Sequence, residues 1–478
     1  MGFLDHWLLT ILLLLPAAGG VAILFIRSPL VRCRTALGLA LGTFCASLLV
    51  LILFHRQPGP YEYAPGGIVQ MVCQAEIIPA LHVNYRVAVD GLSLPFVLLT
   101  TLVGVLACGA SWNDSDRSRI YYAMIFWLES ATLGVFLSFD LLLLWVFLAI
   151  SLIPCCALIL LGVRQRRGRA VIAFLTPMLI GTACLFVAVL GERLMSTRCF
   201  TGGTLDLLRL SSRPCADRTL FLLMLIGFAA RLPVFPVHSW LAVVAAECPP
   251  AVMAMLIGLV PLTGGYGLLR VVMPLFPAVA GSLWWMLAGV GIITVLYGAL
   301  NSIGQTNLRS ALVHVIVAMS GFACIGIAVL TPAGVNASAM ILLSQALVGP
   351  FTLILASDDF RREGLWAAPL AFGWIAELIL PGLLGQLMVV LGAFQTHAAS
   401  PLAIDLLIAA MCVGILLIGT AGTLNLRRLI SPGESASAPA TTVLASVAIA
   451  ALLLAILASP FCFVFTHGAL ESILRAPR

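Results

Sequence analysis

Arg231 stands in the stretch Gly227-Phe228-Ala229-Ala230-Arg231-Leu232-Pro233-Val234-Phe235-Pro236-Val237-His238-Ser239-Trp240, which is otherwise almost wholly apolar. An arginine, two prolines three residues apart and a histidine, all within eight residues, suit one kind of chemistry: holding or moving charge through an apolar medium. The prolines take two donors out of a helical ladder. In a bilayer such a break is tolerated only where protein or a water-filled cavity satisfies the freed carbonyls. A second cluster of the same character is Glu377, Pro381, Gly382, Gly385 and Gln386. Glu129 and His314 are further polar groups inside apolar blocks. Taken singly, either serves as readily as a satisfied structural polar group. An ionisable side chain at the bilayer centre costs roughly 2.5–3.5 kcal/mol on insertion scales, so each one present calls for a reason.

The surrounding composition makes the medium a membrane. Of 478 residues, 62% are hydrophobic and only 9% charged, and the mean hydropathy is +1.14. So little polar surface cannot coat a water-soluble globule, which excludes a soluble enzyme. A crossing helix needs roughly 20 apolar residues. Apolar blocks near 7–26, 35–54, 92–110, 119–138, 140–161, 170–190, 219–241, 250–272, 281–302, 310–330, 336–357, 369–392, 402–424 and 441–463 predict about 14 spans. The chain has no lysine, and all 25 basic residues are arginine. Loops after odd-numbered spans carry most of them, including Arg27, Arg32, Arg34, Arg117, Arg119, Arg309, Arg361, Arg362, Arg427 and Arg428. The positive-inside rule then puts odd loops in the cytoplasm and both termini outside. The start, Met1 to His6, carries an aspartate and lacks the positive charge of a secretory leader, so span 1 reads as uncleaved.

The net charge of +6 is accounted for by this topology signal, and no nucleic-acid footprint accompanies it. The 13 cysteines are scattered without metal-ligand spacing, and they read as small buried hydrophobes. There is no glycine-rich phosphate loop and no nucleophile elbow. No cofactor is expected in this chain. The two broken segments, in spans 7 and 12, sit five spans apart. Paired breaks of this kind predict two inverted five-helix repeats, spans 4–8 answering spans 9–13. The expected fold is an all-α polytopic bundle. Its expected parts are spans 1–3 (1–118), a first repeat (119–272), a second repeat (273–430), and span 14 with a tail (431–478).

These residues are similar to a known family. Val89-Asp90-Gly91-Leu92-Ser93-Leu94-Pro95-Phe96 resembles the opening of the third helix in the antiporter-like subunits of NADH-quinone oxidoreductase. Glu129 to Asp140 resembles that family's fourth helix with its glutamate, and Arg231 to Leu241 its lysine, proline, proline, histidine, tryptophan run. Tyr266-Gly267-Leu268-Leu269-Arg270, Gln305 to Arg309, Gly321-Phe322 and the span 12 segment extend the resemblance over roughly 85–430. Fourteen spans fit the subunit M (chain 4) group within it. Related subunits also occur in Mrp-type antiporters, membrane hydrogenases and inorganic-carbon uptake complexes.

The resemblance implies a proton route through buried Glu, Lys and His residues, driven by redox work in a separate arm. Proton relays need groups whose proton affinity can be shifted through the working range. Carried over, the candidate pathway residues are Glu129, Arg231, His238, Glu247, His314 and Gln386. Departures from the family pattern are as informative. Ala149 stands where a glutamate is expected, Arg231 and Leu262 where lysines are, and Val243 and Ala245 where acidic and histidine positions are. Met319 and Gln345 replace histidines, His314 a tyrosine, and Gln386 a glutamate. Arginine holds its proton too tightly to release it in turn, so Arg231 supplies fixed charge. Glu129 is the expected counter-ion of Arg231.

The implied function is that of a membrane-arm subunit of a complex I-like assembly with an impaired or altered proton relay, non-catalytic in itself. The implied setting is a bacterial-type inner membrane. The implied partners are other membrane-arm subunits and the lipid bilayer, with NADH and quinone handled by partner subunits. Alternatives are a non-pumping coupling subunit, or a membrane partner in an Mrp-type antiporter, a hydrogenase or a carbon-uptake complex.

Overall fold

The computed structural model describes residues 3–54, 63–64, 67–78, 83–112, 117–163, 167–199, 205–211, 216–355, 381–396 and 401–430. Helices dominate, and many begin where a polar side chain or a proline interrupts the apolar run. Helix α1 is Phe3–Leu24, α2 Pro29–Leu53, α3 Ser93–Ala110, α4 Arg119–Leu137, α5 Leu141–Gly162 and α6 Arg167–Cys199. After the short α7 (Leu207–Ser211) come α8 (Arg218–Ala229), α9 (Ser239–Glu247) and α10 (Pro250–Gly267). A π-helical turn, Leu268–Val272, joins α10 to α11 (Met273–Leu275). Then follow α12 (Pro277–Gly304), α13 (Leu308–Ala328), α14 (Pro332–Leu355), α15 (Pro381–Phe394) and α16 (Pro401–Ile430).

The starts have local causes. Ser118 accepts from the Tyr121 amide, Asp217 from those of Thr219 and Leu220, and Asn307 from that of Arg309. Each satisfies a helix-end donor that hydrocarbon could not. Pro29, Pro250 and Pro277 open their helices, where a missing N–H is harmless.

Eleven helices among the described residues are long and apolar enough to cross a bilayer. They answer spans 1–6, 8–11 and 13. Span 7 is divided into α8 and α9, as its prolines require. Span 12 is represented by α15 alone, and Glu377 lies outside the described residues, as does span 14 (441–463). The apolar windows of α10, α13 and α14 are buried throughout, whereas those of α2, α6 and α16 bury a third of their residues or fewer. The first three form the core, and the others turn broad apolar faces outward, as helices facing lipid or a neighbouring membrane protein do.

The fold is helical as expected, and one connection adds a short β-element. The connection between α2 and α3 forms β-structure: a two-residue pair, β1 (Tyr63–Ala64) with β2 (Gly67–Ile68), and a longer antiparallel hairpin, β3 (Gln70–Ile78) with β4 (Val83–Val89). In register, Cys73 faces Val87 and Ala75 faces Tyr85. Outside the hydrocarbon, backbone groups can pair between strands, and Val83-Asn84-Tyr85-Arg86-Val87-Ala88-Val89 supplies strand-forming side chains. The hairpin ties down three connections at one end of the bundle. The Phe139 amide donates to the Arg86 carbonyl (3.0 Å), Leu141 to Leu205 (2.8 Å) and Leu207 to Phe139 (2.9 Å). All three connections follow even-numbered spans and lie together at that end.

Candidate functional site

The break in span 7 is built against α5, α10 and α12. Gly264 of α10 lies so close that a Cβ there would stand 2.7 Å from both the Leu232 nitrogen and the Phe228 oxygen. The Phe235 amide, freed by the break, donates to Thr294 Oγ1 on α12 (2.9 Å). Arg231, 2% exposed, reaches across to α5. Its Nη2 donates to the Leu148 carbonyl (2.6 Å) and its Nη1 to Ser151 Oγ (3.3 Å).

This corrects the expected pairing of Arg231 with Glu129. Among the described residues the ion pairs join Arg86 and Arg209 to Asp206, and Arg270 to Asp90. None reaches Arg231 or Glu129. The reason is position: Arg231 faces α5, where Ala149 offers no carboxylate, and Glu129 faces α2 and α3. Glu129 Oε1 lies 2.9 Å from Thr43 Oγ1, and Gly104 leaves the space that Oε2 occupies.

His238 and His314 are brought together. Both flank Tyr297 of α12, with ring centroids 4.5 Å and 6.5 Å from it, and Phe235 stacks on His238. His314 Nδ1 lies 2.7 Å from the Ser310 carbonyl. A carbonyl can only accept, so Nδ1 carries a hydrogen and Nε2 is the nitrogen free to take a proton. His238 Nδ1 is buried with no hydrogen-bond partner.

Glu247 ends α9, partly exposed, beside Cys248, whose carbonyl accepts from Arg309. It therefore sits at a helix end and not among the buried groups. On the second-repeat side, Gln386 Nε2 contacts Met319 Sδ (2.9 Å), while Gln345 Nε2 donates to the Ile316 carbonyl (3.0 Å) and Ser320 Oγ (2.9 Å). Leu262 is buried. The six candidates thus fall into separate places, and only His238 and His314 share one.

Two charged clusters went unforeseen. Asp90 Oδ1 accepts from the Ser93 amide (2.8 Å), opening α3, while Oδ2 lies 2.9 Å from Arg270 Nη1. The π-helical turn carries Arg270 to that point, and its guanidinium also covers the Phe139 ring, 4.6 Å from the centroid. Nearby, Arg86 pairs with Asp206. The signal was present, since the Asp90 and Arg270 segments were both singled out as motifs, but nothing in sequence spacing joins them.

Asp140 belongs to the same end of the bundle. It caps α5, accepting from Leu142 (2.9 Å) and Leu143 (3.1 Å). Burial pushes its carboxyl up to about 6, opposed by the amides of Leu143, Leu142 and Asn84 and helped by Asp206. An unfolded aspartate titrates near 4. Between about pH 4 and 6 the folded chain therefore holds a proton that the unfolded chain has lost, and stability falls as pH rises through that window. Asp140→Asn keeps the cap and removes the titration. It is expected to flatten the dependence of melting temperature on pH between about 4 and 6; an unchanged slope would refute the assignment.

Comparison with known proteins agrees with this architecture. A family model described as "NADH:quinone oxidoreductase/Mrp antiporter, TM" matches residues 138–363. The chain is 30% identical over 416 residues to NAD(P)H-quinone oxidoreductase chain 4 1 of Synechococcus sp. (strain JA-2-3B'a(2-13)), covering 82% of this chain and 76% of that one. It is 31% identical over 443 residues to the chloroplastic NAD(P)H-quinone oxidoreductase chain 4 of Chaetosphaeridium globosum, covering 86% and 84%. In fold it is similar to a chain of respiratory complex I from Thermus thermophilus, with a TM-score of 0.84, 22% identity and 98% of each chain covered.

Proposed function

Given that the chain belongs to the family of antiporter-like membrane subunits shared by NADH:quinone oxidoreductases and Mrp antiporters, we propose that it serves in the membrane arm of a complex I-type quinone oxidoreductase with an altered proton relay. In this reading it lies in a bacterial-type inner membrane, with odd loops cytoplasmic and both termini outside. Spans 4–8 and 9–13 act as inverted repeats. NADH and quinone are handled by partner subunits, and this chain holds no cofactor.

The observation that carries the altered relay is the setting of Arg231. Its hydrogen bonds go to a backbone carbonyl and a hydroxyl, and no carboxylate among the described residues pairs with it. An arginine held this way keeps its proton and acts as a fixed cation. Leu262, Met319, Gln345 and Gln386 leave the onward positions uncharged. Among the described residues, His238 and His314, on either side of Tyr297, are titratable groups brought together along this axis. The same uncharged positions favour a second reading, a coupling subunit that does not translocate.

Mild-detergent purification from the native membrane tests the assembly. Co-purification with hydrophilic NADH- or quinone-reacting subunits is the expected result. Recovery alone, or with a carbon-hydrating partner, would overturn it. Within that assembly Arg231→Lys keeps the charge and loses the two-pronged reach to α5. It is expected to cost about 1–3 kcal/mol in stability while leaving the protons moved per electron unchanged. A fall in that ratio, with the variant assembled, would show that the guanidinium takes part in transfer.

A further inference from the structure

At the end of the bundle away from the hairpin, four helix ends come together. The hairpin end is marked by Tyr85, whose hydroxyl donates to Thr10 near the start of α1 (3.2 Å). At the other end of α1, the Leu24 carbonyl accepts from Arg119 Nη1 at the start of α4 (3.3 Å). Tyr122 Oη lies 3.1 Å from Cys33 Sγ on α2 and donates to the Ser111 carbonyl just after α3 (3.2 Å). Tyr121 Oη and Ser111 Oγ are 3.1 Å apart, and Arg117 lies over the Tyr121 ring, 5.1 Å from its centroid.

Arginines gather here, and one of them departs from the pattern. Arg27, Arg34 and Arg119 are exposed, which is all that the positive-inside bias asks of a loop charge. Arg32 is only 6% exposed. It lies one turn before Ala36 on the buried face of α2, next to Cys33. Its Nε is enclosed without a hydrogen-bond partner, and no ion pair among the described residues reaches it. A long basic side chain at a helix end ordinarily carries its head out to water. Held inside, the guanidinium is a buried charge that calls for an anion. The described connections at this end, 25–28, 111–112 and 117–118, contain no carboxylate, and Asp114 and Asp116 lie outside the described residues.

The surroundings narrow the chemistry of that anion. Phe25, Leu30, Val31 and Trp112 lie at these same helix ends and are all exposed, Phe25 at 79%. Further along, the outward face of α2 stays apolar through Leu41 and Leu49. An inorganic anion or an acidic protein loop would answer the charge and leave this apolar surface uncovered. A phospholipid answers both, with its phosphate at the guanidinium and its acyl chains along α2. The guanidinium fork suits phosphate, to which it can donate two parallel hydrogen bonds. Trp112, exposed at the level of the charges, stands where an indole sits at headgroup depth.

We propose that Arg32, with Arg119 on the neighbouring helix end, forms a binding site for the phosphate of an anionic phospholipid, whose acyl chains cover the outward face of α2. Basic pockets between membrane helices take such headgroups. The exposed Arg27 and Arg34 add to the local field, while Arg32 holds the phosphate itself. The lipid would tie α2, which buries little of its own surface, to the ends of α1 and α4. The site needs only the membrane bundle, so it stands or falls independently of which complex holds the chain and of which leaflet this end faces.

Two measurements on the full chain, purified in a neutral detergent, test this. Native mass spectrometry after delipidating washes needs no variant: the parent is expected to retain an anionic phospholipid, and a parent that retains none overturns the proposal. In melting experiments phosphatidylglycerol is expected to stabilise the parent at lower concentration than phosphatidylcholine with the same chains. Arg32→Gln is expected to raise the phosphatidylglycerol midpoint about tenfold or more, as loss of a hydrogen bond to a charged group does. Arg34→Gln removes the same charge from the exposed face and is expected to raise it less than about fivefold, the effect of one surface charge. Equal shifts in the two variants overturn the site, because general surface attraction then accounts for both. Equal action of the two lipids overturns it as well, and so does inorganic phosphate acting at the concentrations at which phosphatidylglycerol does. Asp114→Asn combined with Asp116→Asn is expected to leave the melting temperature of the delipidated chain unchanged. A fall there would mean that those carboxylates, and not a lipid, hold Arg32.

Discussion

Asp90→Asn is expected to lower the stability of the folded chain by about 3–5 kcal/mol, the range found when one partner of a buried ion pair is removed. The substitution keeps the side-chain oxygen that accepts from the Ser93 amide, so α3 retains its cap and only the charge is lost. Arg270, 5% exposed and with Nη2 already lacking a hydrogen-bond partner, would then hold an unpaired buried charge over the Phe139 ring. Pairing Asp90→Asn with Arg270→Met is expected to recover most of the loss, because a linear apolar chain of similar length needs no counter-ion. Melting temperatures of the parent, the single variant and the double variant in one detergent decide it. If Asp90→Asn melts with the parent, the pair does not hold α3 to the π-helical turn.

Gly264→Ala is expected to cost about 1–3 kcal/mol, as overpacking does in a filled core. The added Cβ would meet the Leu232 nitrogen and Phe228 oxygen at 2.7 Å and the Arg231 Cβ at 3.0 Å. Two of those three atoms are backbone, which cannot rotate out of the way. The strain therefore falls on the break itself, and Arg231 moves relative to the Leu148 carbonyl. Gly289→Ala is the control, since nothing lies within 4 Å of a Cβ there. In a helix interior that change is expected to be neutral or to gain up to about 1 kcal/mol. Equal melting of the two variants would mean that α10 and the broken segment do not press on each other as the structure has them.

The membrane fold was legible because its cause is local. Apolar runs of crossing length, and prolines inside one of them, act within a few residues of where they stand, and the structure divides span 7 where Pro233 and Pro236 lie. The hairpin between α2 and α3 was missed because its strands are short, and hydropathy read at the span scale averages them away. At the candidate site the sequence supplied the residue types. It placed Arg231 inside an apolar span, an alanine at 149 where a glutamate is expected, and an uncharged Gln386.

Partnership lay beyond its reach. Each of Arg231 and Glu129 is a lone charge in an apolar span, which makes them complementary on paper, yet the first bonds to α5 and the second to Thr43. Asp90 and Arg270 stand far apart in sequence and pair at 2.9 Å. Hydropathy and proline placement determine that a segment crosses the bilayer and where it breaks, since both act along one helix. Which charge meets which depends on how neighbouring helices are rotated and how closely they approach. That is set by side-chain packing across interfaces, by glycines such as Gly104 and Gly264 and by the π-helical turn at Arg270. Only the tertiary structure decided those.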